Sequence, residues 1–241
     1  MYEEQTIAVV VPAYREAKLL PKTLETMPEF VDEVIVVDDG SPDDTWEVAR
    51  RFASQRPRVR AVRLGFNYGV GRAISMGYRE ALRRGAHVVA VMAADAQMDP
   101  ADLEDVIAPV ARGQADYSKG DRLGHEQADA MPPVRRFGTW LLGWLTGLAA
   151  GNGEIRDSQC GYTAISARML RQLPLHRLYP RYGYPNDLLL RLAEQDAEIA
   201  QPTVRPVYED ERSGLNVRAV AGPIAGILLR GVVRRLVREV S

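Results

Sequence analysis

A doubly wound, mostly parallel α/β sheet is the fold class that the sequence predicts, on three observations. Short β-branched runs alternate with segments of helical spacing four times within the first 112 residues. The runs are apolar throughout rather than alternating, as strands covered on both faces require. The polar residues gather just after them, beyond the carboxyl ends of the strands, where open parallel sheets bind their ligands.

In order, "TIAVVVPAY" (6–14) is the first strand, closed by Pro12, and "REAKLLPKTLETM" (15–27) has helical spacing at Leu19, Leu20, Leu24 and Met27. "EVIVVDDGSPDDT" (33–45) is the second strand and its turn. Ser41 and Pro42 are expected to be the N-cap and first residue of a helix through about Ala53. A strand over 59–64, a helix over about 70–84, a strand over 87–92 and a helix opened by Asp99-Pro100 complete this half. Residues 113–135 are poor in apolar periods and predict a strand near Tyr117–Lys119 followed by a loop. A helix over about 134–150 comes next, then "GNGEIRDSQCGYTAIS" (151–166), strand-like at its end. A short helix from Ser166 and another over about Asn186–Gln195 follow. "EIAQPTVRPVYE" (198–209), broken by Pro202 and Pro206, suits an edge strand, and 217–240 is an amphipathic helix with a basic face.

The 241 residues fit one domain with a sizeable core. With 31 basic against 32 acidic residues, the chain lacks the footprint of a nucleic-acid binder. Only the segment from Arg212 to Arg238 is rich in Arg. A single cysteine, Cys160, excludes an intramolecular disulfide and argues for a reducing compartment, so a cytoplasmic location is expected. Glu3 and Glu4 before a short apolar run do not resemble a signal peptide. No window reaches the ~18 uninterrupted apolar residues of a spanning helix. "WLLGWLTGLAA" (140–150) and "VAGPIAGILL" (220–229) come nearest, so any membrane contact is expected to be peripheral.

Chemistry concentrates at four strand ends. Asp38 and Asp39 are adjacent on a strand and must point to opposite faces, so one can meet a ligand's base or ribose while the other holds the Gly40–Ser41 turn. In "GFNYGVGRAISMG" (65–77), Gly69, Gly71 and Gly77 with Asn67 and Arg72 can bring backbone amides to a phosphate at a helix N-terminus. The pattern follows the third strand, not the first, which counts against a nicotinamide enzyme. Asp95 and Gln97, two apart, offer one anionic and one neutral oxygen. That suffices for Mg²⁺ or Mn²⁺ shared with a diphosphate; the alternative is a plain strand end. Asp99 is best explained as the N-cap before Pro100. Lys119 and Arg122 lie where they can clamp a diphosphate, with a solvated loop as the alternative. Asp157, Gln159 and Asp187 fall near pocket edges, and Asp187 alone fits a helix N-terminal carboxylate better than a base. Trp140 and Trp144 share one helix face, and Arg230, Arg234, Arg235 and Arg238 line an apolar helix. Either face can lie on anionic lipid, although packing or a partner subunit is the preferred explanation of the Trp pair.

Together "VVVPAYREAKLLPKTLE", "EVIVVDDGSPDDT", "NYGVGRAISMGYREA", "VMAADAQMDP" and "DSQCGYTAIS" resemble the family 2 inverting glycosyltransferases of GT-A fold, and within them the dolichol- or polyprenyl-phosphate sugar transferases. The resemblance covers about residues 6–215. It implies that residues 1–112 bind the nucleotide sugar, 113–216 form the acceptor side and 217–241 a basic amphipathic helix. It gives Pro12, Ala13, Tyr14, Glu16 and Asp39 donor-binding roles, joined by Gly71, Asp95 and Arg122. Asp95 and Gln97 take the metal-binding positions, while the first acidic position of the Asp-x-Asp segment is Ala93. Asp187 matches the place of the family's catalytic carboxylate and stands with Asp157 and Arg122 as the catalytic set. Gln159 falls on the acceptor side. "EDERSGLN" (209–216) resembles the group's closing segment, with Arg212 as its phosphate contact.

The implied reaction is metal-dependent, inverting transfer of a sugar from a UDP- or GDP-sugar to a polyprenyl phosphate at the cytoplasmic membrane face, by a chain that contacts the membrane peripherally or through a homo-oligomer or membrane-protein partner. Two alternatives stand beside it. One is transfer to a saccharide hydroxyl, with Asp187 as base. The other is a nucleotide-sugar-binding scaffold that lost catalysis with the carboxylate at position 93.

Overall fold

Strand β1 (Ile7–Ala13) alternates between two cores: Ile7, Val9 and Val11 belong to one, Ala8 and Val10 to the other. Its uninterrupted apolar run is thereby explained, because a strand buried on both faces has no position for a polar side chain. β2 (Glu33–Asp38) and β4 (Val88–Val91) flank it in parallel, and β3 (Val59–Arg63) lies outside β2. The computed structural model describes residues 1–151, 155–207 and 217–240, the side chains at 130, 217–220 and 238–240 excepted.

Helices α1 (Leu20–Glu25) and α2 (Thr45–Gln55) cover one face of the sheet, together with α4 (Leu103–Ala111). α3 (Val70–Arg83) covers the other, placing Ala73, Ile74, Tyr78 and Ala81 against it. The strand order β3-β2-β1-β4 reverses direction between β1 and β4, so a crevice opens beyond their carboxyl ends. The sheet continues through β6 (Thr163–Ser166) to β5 (Tyr117–Lys119) and β7 (Ile199–Ala200). β6 runs antiparallel to both its neighbours and is the one reversed strand of the seven. The edge position expected for 198–209 is occupied by β7, cut to two residues before Pro202.

Later elements build a second layer. α5 (Pro133–Ala150), α7 (Tyr184–Ala193) and α8 (Val217–Val240) share a small core of Ala149, Leu190 and Ile227, while α6 (Ala167–Gln172) joins the α3 face.

Three expected helix starts move. The helix after β2 begins at Thr45, not at Ser41. The Ser41 amide donates to Asp38 Oδ1 (3.0 Å) and its hydroxyl accepts from the Arg15 amide (3.1 Å), so Ser41 belongs to a turn that ties two loops together. α1 begins only at Leu20, because the Glu16 amide is held by Thr45 Oγ1 (2.8 Å) and keeps the preceding loop out of the helix. α7 begins at Tyr184, two residues early, with Pro185 in its first turn.

Candidate active site

The loops after β1 and β2 form one wall of the crevice. Pro12 is half-buried, Ala13 buried and Tyr14 exposed, with the Arg15 guanidinium 5.4 Å from the Tyr14 ring centre. Arg15 holds a left-handed backbone (φ 61°) that bends the chain back toward Ser41 and Thr45. The aspartate pair divides as its alternation requires. Asp38 holds the turn through Ser41 and meets Arg63 Nε at 3.2 Å. Asp39, 3% exposed, accepts from the amides of Tyr68 (2.9 Å) and Gly69 (2.7 Å). Burial pushes its carboxyl upward in pKa against the pull of these two amides.

This arrangement corrects the expectation of a phosphate cradle at 65–77. The start of α3 already carries an anion, the Asp39 carboxylate, and the Arg72 amide donates to the Pro180 carbonyl (3.1 Å). At Gly71 a Cβ would fall 2.2 Å from the Tyr179 carbonyl, so its smallness serves close packing of the 179–184 segment. Gly77 likewise makes room for Val10.

Beyond β4 the buried Met92 and Ala94 give way to half-buried Asp95 and Gln97. Ala96 adopts φ 55°, and the Gln97 amide donates to Asp95 Oδ1 (3.0 Å), so both oxygen-bearing side chains belong to one tight turn. No group of three or more His, Cys, Asp or Glu side chains able to hold a metal occurs among the described residues. One carboxylate and one amide oxygen fit a hard divalent ion that takes its remaining ligands from phosphate and water, and do not fit a cage made by protein alone. Asp99 caps the Pro100–Asp102 turn through the Ala101 amide (3.0 Å), as expected.

Across the crevice, Arg122 and Asp157 form a bidentate pair, Nε to Oδ2 at 2.7 Å and Nη2 to Oδ1 at 3.1 Å. Asp157, 1% exposed, also accepts from the amides of Gln159 and Cys160, both at 3.0 Å. Burial alone would raise its pKa, but the charge and hydrogen bonds of Arg122, the nearby Lys119 and the Gln159 amide outweigh it and hold the carboxyl low. Asp157 is therefore no catalytic residue with access to an acceptor; it fixes Arg122 and the 157–160 turn. Lys119 is no diphosphate clamp either. It is buried on β5 and donates to the Cys160 carbonyl, and burial lowers its pKa.

Gln159 donates to Ser158 Oγ (3.1 Å) and to Asn186 Oδ1 (3.0 Å), and Asn186 donates in turn to Thr146 Oγ1 (2.7 Å). The structure does not bring Asp187 to this cluster. Its Oδ2 accepts from the Tyr179 amide (2.9 Å) and from Arg191 Nε (3.0 Å), beside a small pocket that α8 closes with Ile227 and Arg230. Asn186 and Thr146 are the site residues that the sequence reading missed. The signal was Pro185: it starts α7 at Tyr184 and so puts Asn186 and Asp187 in the first turn, about 100° apart around the axis. Next to Arg122, an open groove of about 590 Å³ runs past Leu123, Asp129, Met131, Pro133, Arg136, Phe137 and Trp140. Arg212 and the 209–216 segment lie outside the described residues.

An open α/β sheet with Asp95 and Gln97 after β4, Arg122 after β5 and Gln159 before β6, all at the same end of the sheet, defines a class, proteins that bind their ligands at the switch point of a doubly wound fold. The chain belongs to glycosyl transferase family 2, whose pattern matches residues 8–173. It is 30% identical over 233 residues to the undecaprenyl-phosphate mannosyltransferase of Micrococcus luteus, spanning 95% of this chain and 93% of that protein. It is 26% identical over 221 residues to the UDP-N-acetylglucosamine–dolichyl-phosphate N-acetylglucosaminyltransferase of Methanococcus voltae, spanning 86% and 88%. In fold it matches glucosyl-3-phosphoglycerate synthase of Mycobacterium tuberculosis, solved with Mn²⁺, UDP and phosphoglyceric acid, at a TM-score of 0.73 and 21% identity over 95% of this chain and 79% of that one. The protein is thus a glycosyltransferase of GT-A fold.

Proposed function

We propose that the protein transfers a sugar from a UDP- or GDP-sugar to a polyprenyl phosphate, as a peripheral protein on the inner face of the membrane. One observation carries this reading: at the start of α7 the residue that reaches Gln159 is the amide Asn186, while the carboxylate of Asp187 is occupied by Arg191 and the Tyr179 amide. A hydroxyl acceptor needs a base facing it to take its proton, and the Asp187 carboxylate is committed instead to the Arg191 guanidinium and the Tyr179 amide, away from Gln159. A phosphate acceptor arrives as an anion and needs none. The relatives in M. luteus and M. voltae are named for undecaprenyl and dolichyl phosphate, which supports the same acceptor class.

In this reading residues 1–112 hold the donor and 113–216 form the acceptor side. Pro12, Ala13, Tyr14 and Glu16 contribute donor contacts. Asp39 does so through the lone pairs that the Tyr68 and Gly69 amides leave over. Asp95 and Gln97 hold Mg²⁺ or Mn²⁺ together with the donor diphosphate, and the bound ion supplies positive charge to the leaving group. Solved structures of the M. tuberculosis neighbour contain UDP with either ion, which supports this choice. Arg122, fixed by Asp157, adds a second positive group to the diphosphate. Gln159 orients the acceptor phosphate, and Leu123, Met131, Pro133, Phe137 and Trp140 give its first isoprene units apolar contacts in a groove that the Asp129–Arg136 pair also lines.

Purified protein given Mg²⁺ or Mn²⁺, a panel of UDP- and GDP-sugars and polyprenyl phosphate is expected to release nucleoside diphosphate and form lipid-linked sugar. Absence of release with every pair overturns the reading. Asp95→Ala is expected to abolish metal-dependent donor binding in calorimetry, and unchanged metal dependence would return 95–97 to a plain strand end.

A further inference from the structure

α5 is amphipathic the wrong way round for a soluble helix. Its buried side is built of Thr139, Gly143, Thr146, Gly147 and Ala149. Its exposed side carries Val134, Phe137, Trp140, Leu141, Trp144, Leu145 and Leu148, with Trp140 at 53% and Trp144 at 51% exposure. At 100° per residue these seven fall within one arc of about 140°. The small inner residues are required by packing: a Cβ on Gly143 would fall 2.3 Å from the Arg156 carbonyl. The packing expected for the Trp pair is therefore not found among the described residues.

The face does not end with α5. α8 packs alongside, with Ile224, Ile227 and Gly231 buried and Leu229, Val233, Leu236 and Val237 exposed. Of the sixteen exposed large hydrophobic side chains among the described residues, seven are on α5 and four on α8, which makes a patch and not scatter. Four arginines border it, Arg135 and Arg136 at the start of α5 and Arg230 and Arg234 on the flank of α8. Arg136 pairs with Asp129 and Arg234 with Glu194, both at exposed positions. No helix among the described residues is long and apolar enough to cross a membrane, while α5, eighteen residues and so about 27 Å long, suits a helix lying in the interface plane.

We infer that the α5–α8 face docks on an anionic membrane surface, with Phe137, Trp140, Trp144 and Leu148 in the headgroup–acyl boundary and Arg135, Arg230 and Arg234 among lipid phosphates. A second copy of the chain is the poorer occupant, because a two-fold contact sets the same arginines against each other. The inference rests on the reading above only for the presence of a lipid acceptor. It places the groove beside Phe137 and Trp140 at the level of the membrane surface, where a polyprenyl phosphate can enter without leaving the lipid.

Full-length protein mixed with phosphatidylcholine vesicles containing anionic phosphatidylglycerol, and no polyprenyl phosphate, is expected to float with the vesicles, and brominated acyl chains are expected to quench its Trp fluorescence. Trp144→Gln with Leu148→Gln, both outside the groove, is expected to lower the partition coefficient by about tenfold or more with an unchanged melting temperature. Arg230→Gln with Arg234→Gln is expected to remove most of the preference for anionic over neutral vesicles. Protein that stays in solution at low salt, or that forms a dimer with its Trp residues shielded from quencher, overturns the inference. Vesicle binding without transfer to any acceptor would sink the proposed function alone; transfer to a short, water-soluble prenyl phosphate without vesicle binding would sink the docking face alone.

Discussion

α3 and α5 are two of the longest helices in the chain and both border the crevice, yet they obey opposite rules. α3 buries Ile74, Tyr78 and Ala81 against the sheet, and the Tyr78 hydroxyl meets that of Tyr184 at 2.9 Å, with burial pushing the Tyr78 pKa up to about 12. α5 buries glycine, threonine and alanine and turns its two tryptophans outward. What differs is the medium each large side chain leaves water for. For α3 that medium is the protein's own interior, so its residues report on folding. For the outer face of α5 no partner occurs among the described residues, so its residues report on whatever covers them.

The sharpest way to break this contrast is to truncate one aromatic from each helix. Tyr78→Ala is expected to lose about 3–5 kcal/mol of stability, whereas Trp144→Ala should change it by no more than about 0.5 kcal/mol; denaturant unfolding of both variants is the check. Equal losses would mean that α5 is a core helix after all.

Next in size is Asp157→Asn, which cuts the tie holding the acceptor side together. Removing one partner of a buried ion pair costs about 3–5 kcal/mol, and partial exposure of Arg122 reduces this to about 2–3 kcal/mol. Although burial opposes it, the Arg122 charge holds the Asp157 carboxyl below its ordinary 3.8, so the pair's contribution is complete above that value and lost as pH falls through the depressed one. Melting temperatures measured from pH 6 down to pH 2 should show a shallower acid limb in the variant.

Asp187→Asn is expected to keep transfer to polyprenyl phosphate within about tenfold of wild type, since its carboxylate serves Arg191 and the Tyr179 amide. Loss of turnover by a thousandfold would restore the general-base role and with it a hydroxyl acceptor. The smallest effect is expected from Ala93→Asp: metal-dependent donor affinity, read by calorimetry, should hold or tighten severalfold as a further carboxylate joins Asp95 and Gln97.

The two halves were not equally legible. Strands β1 to β4 were readable because continuous burial leaves only one kind of residue available, and every one of them appears close to its expected span. The division of Asp38 from Asp39 followed from strand alternation alone. Side-chain direction at the start of α7 was not readable, because it hinges on whether the first turn opens at Tyr184 or Asn186, a shift of two residues that turns the helix by about 200°. The glycines at 69–77 misled for a related cause. Gly71 looked like an opening for a phosphate, but the obstacle it avoids is the Tyr179 carbonyl, which lies more than a hundred residues away in the chain.

The inner face of α5 has a practical consequence. Because small residues, glycine, threonine and alanine, fasten this helix, its most exposed outer residues carry little folding duty, and polar substitutions at Trp144 and Leu148 would raise solubility in plain buffer with little change in the melting temperature. Such a variant would look improved by every assay run in water, and would have lost the part of the protein that water was never meant to touch.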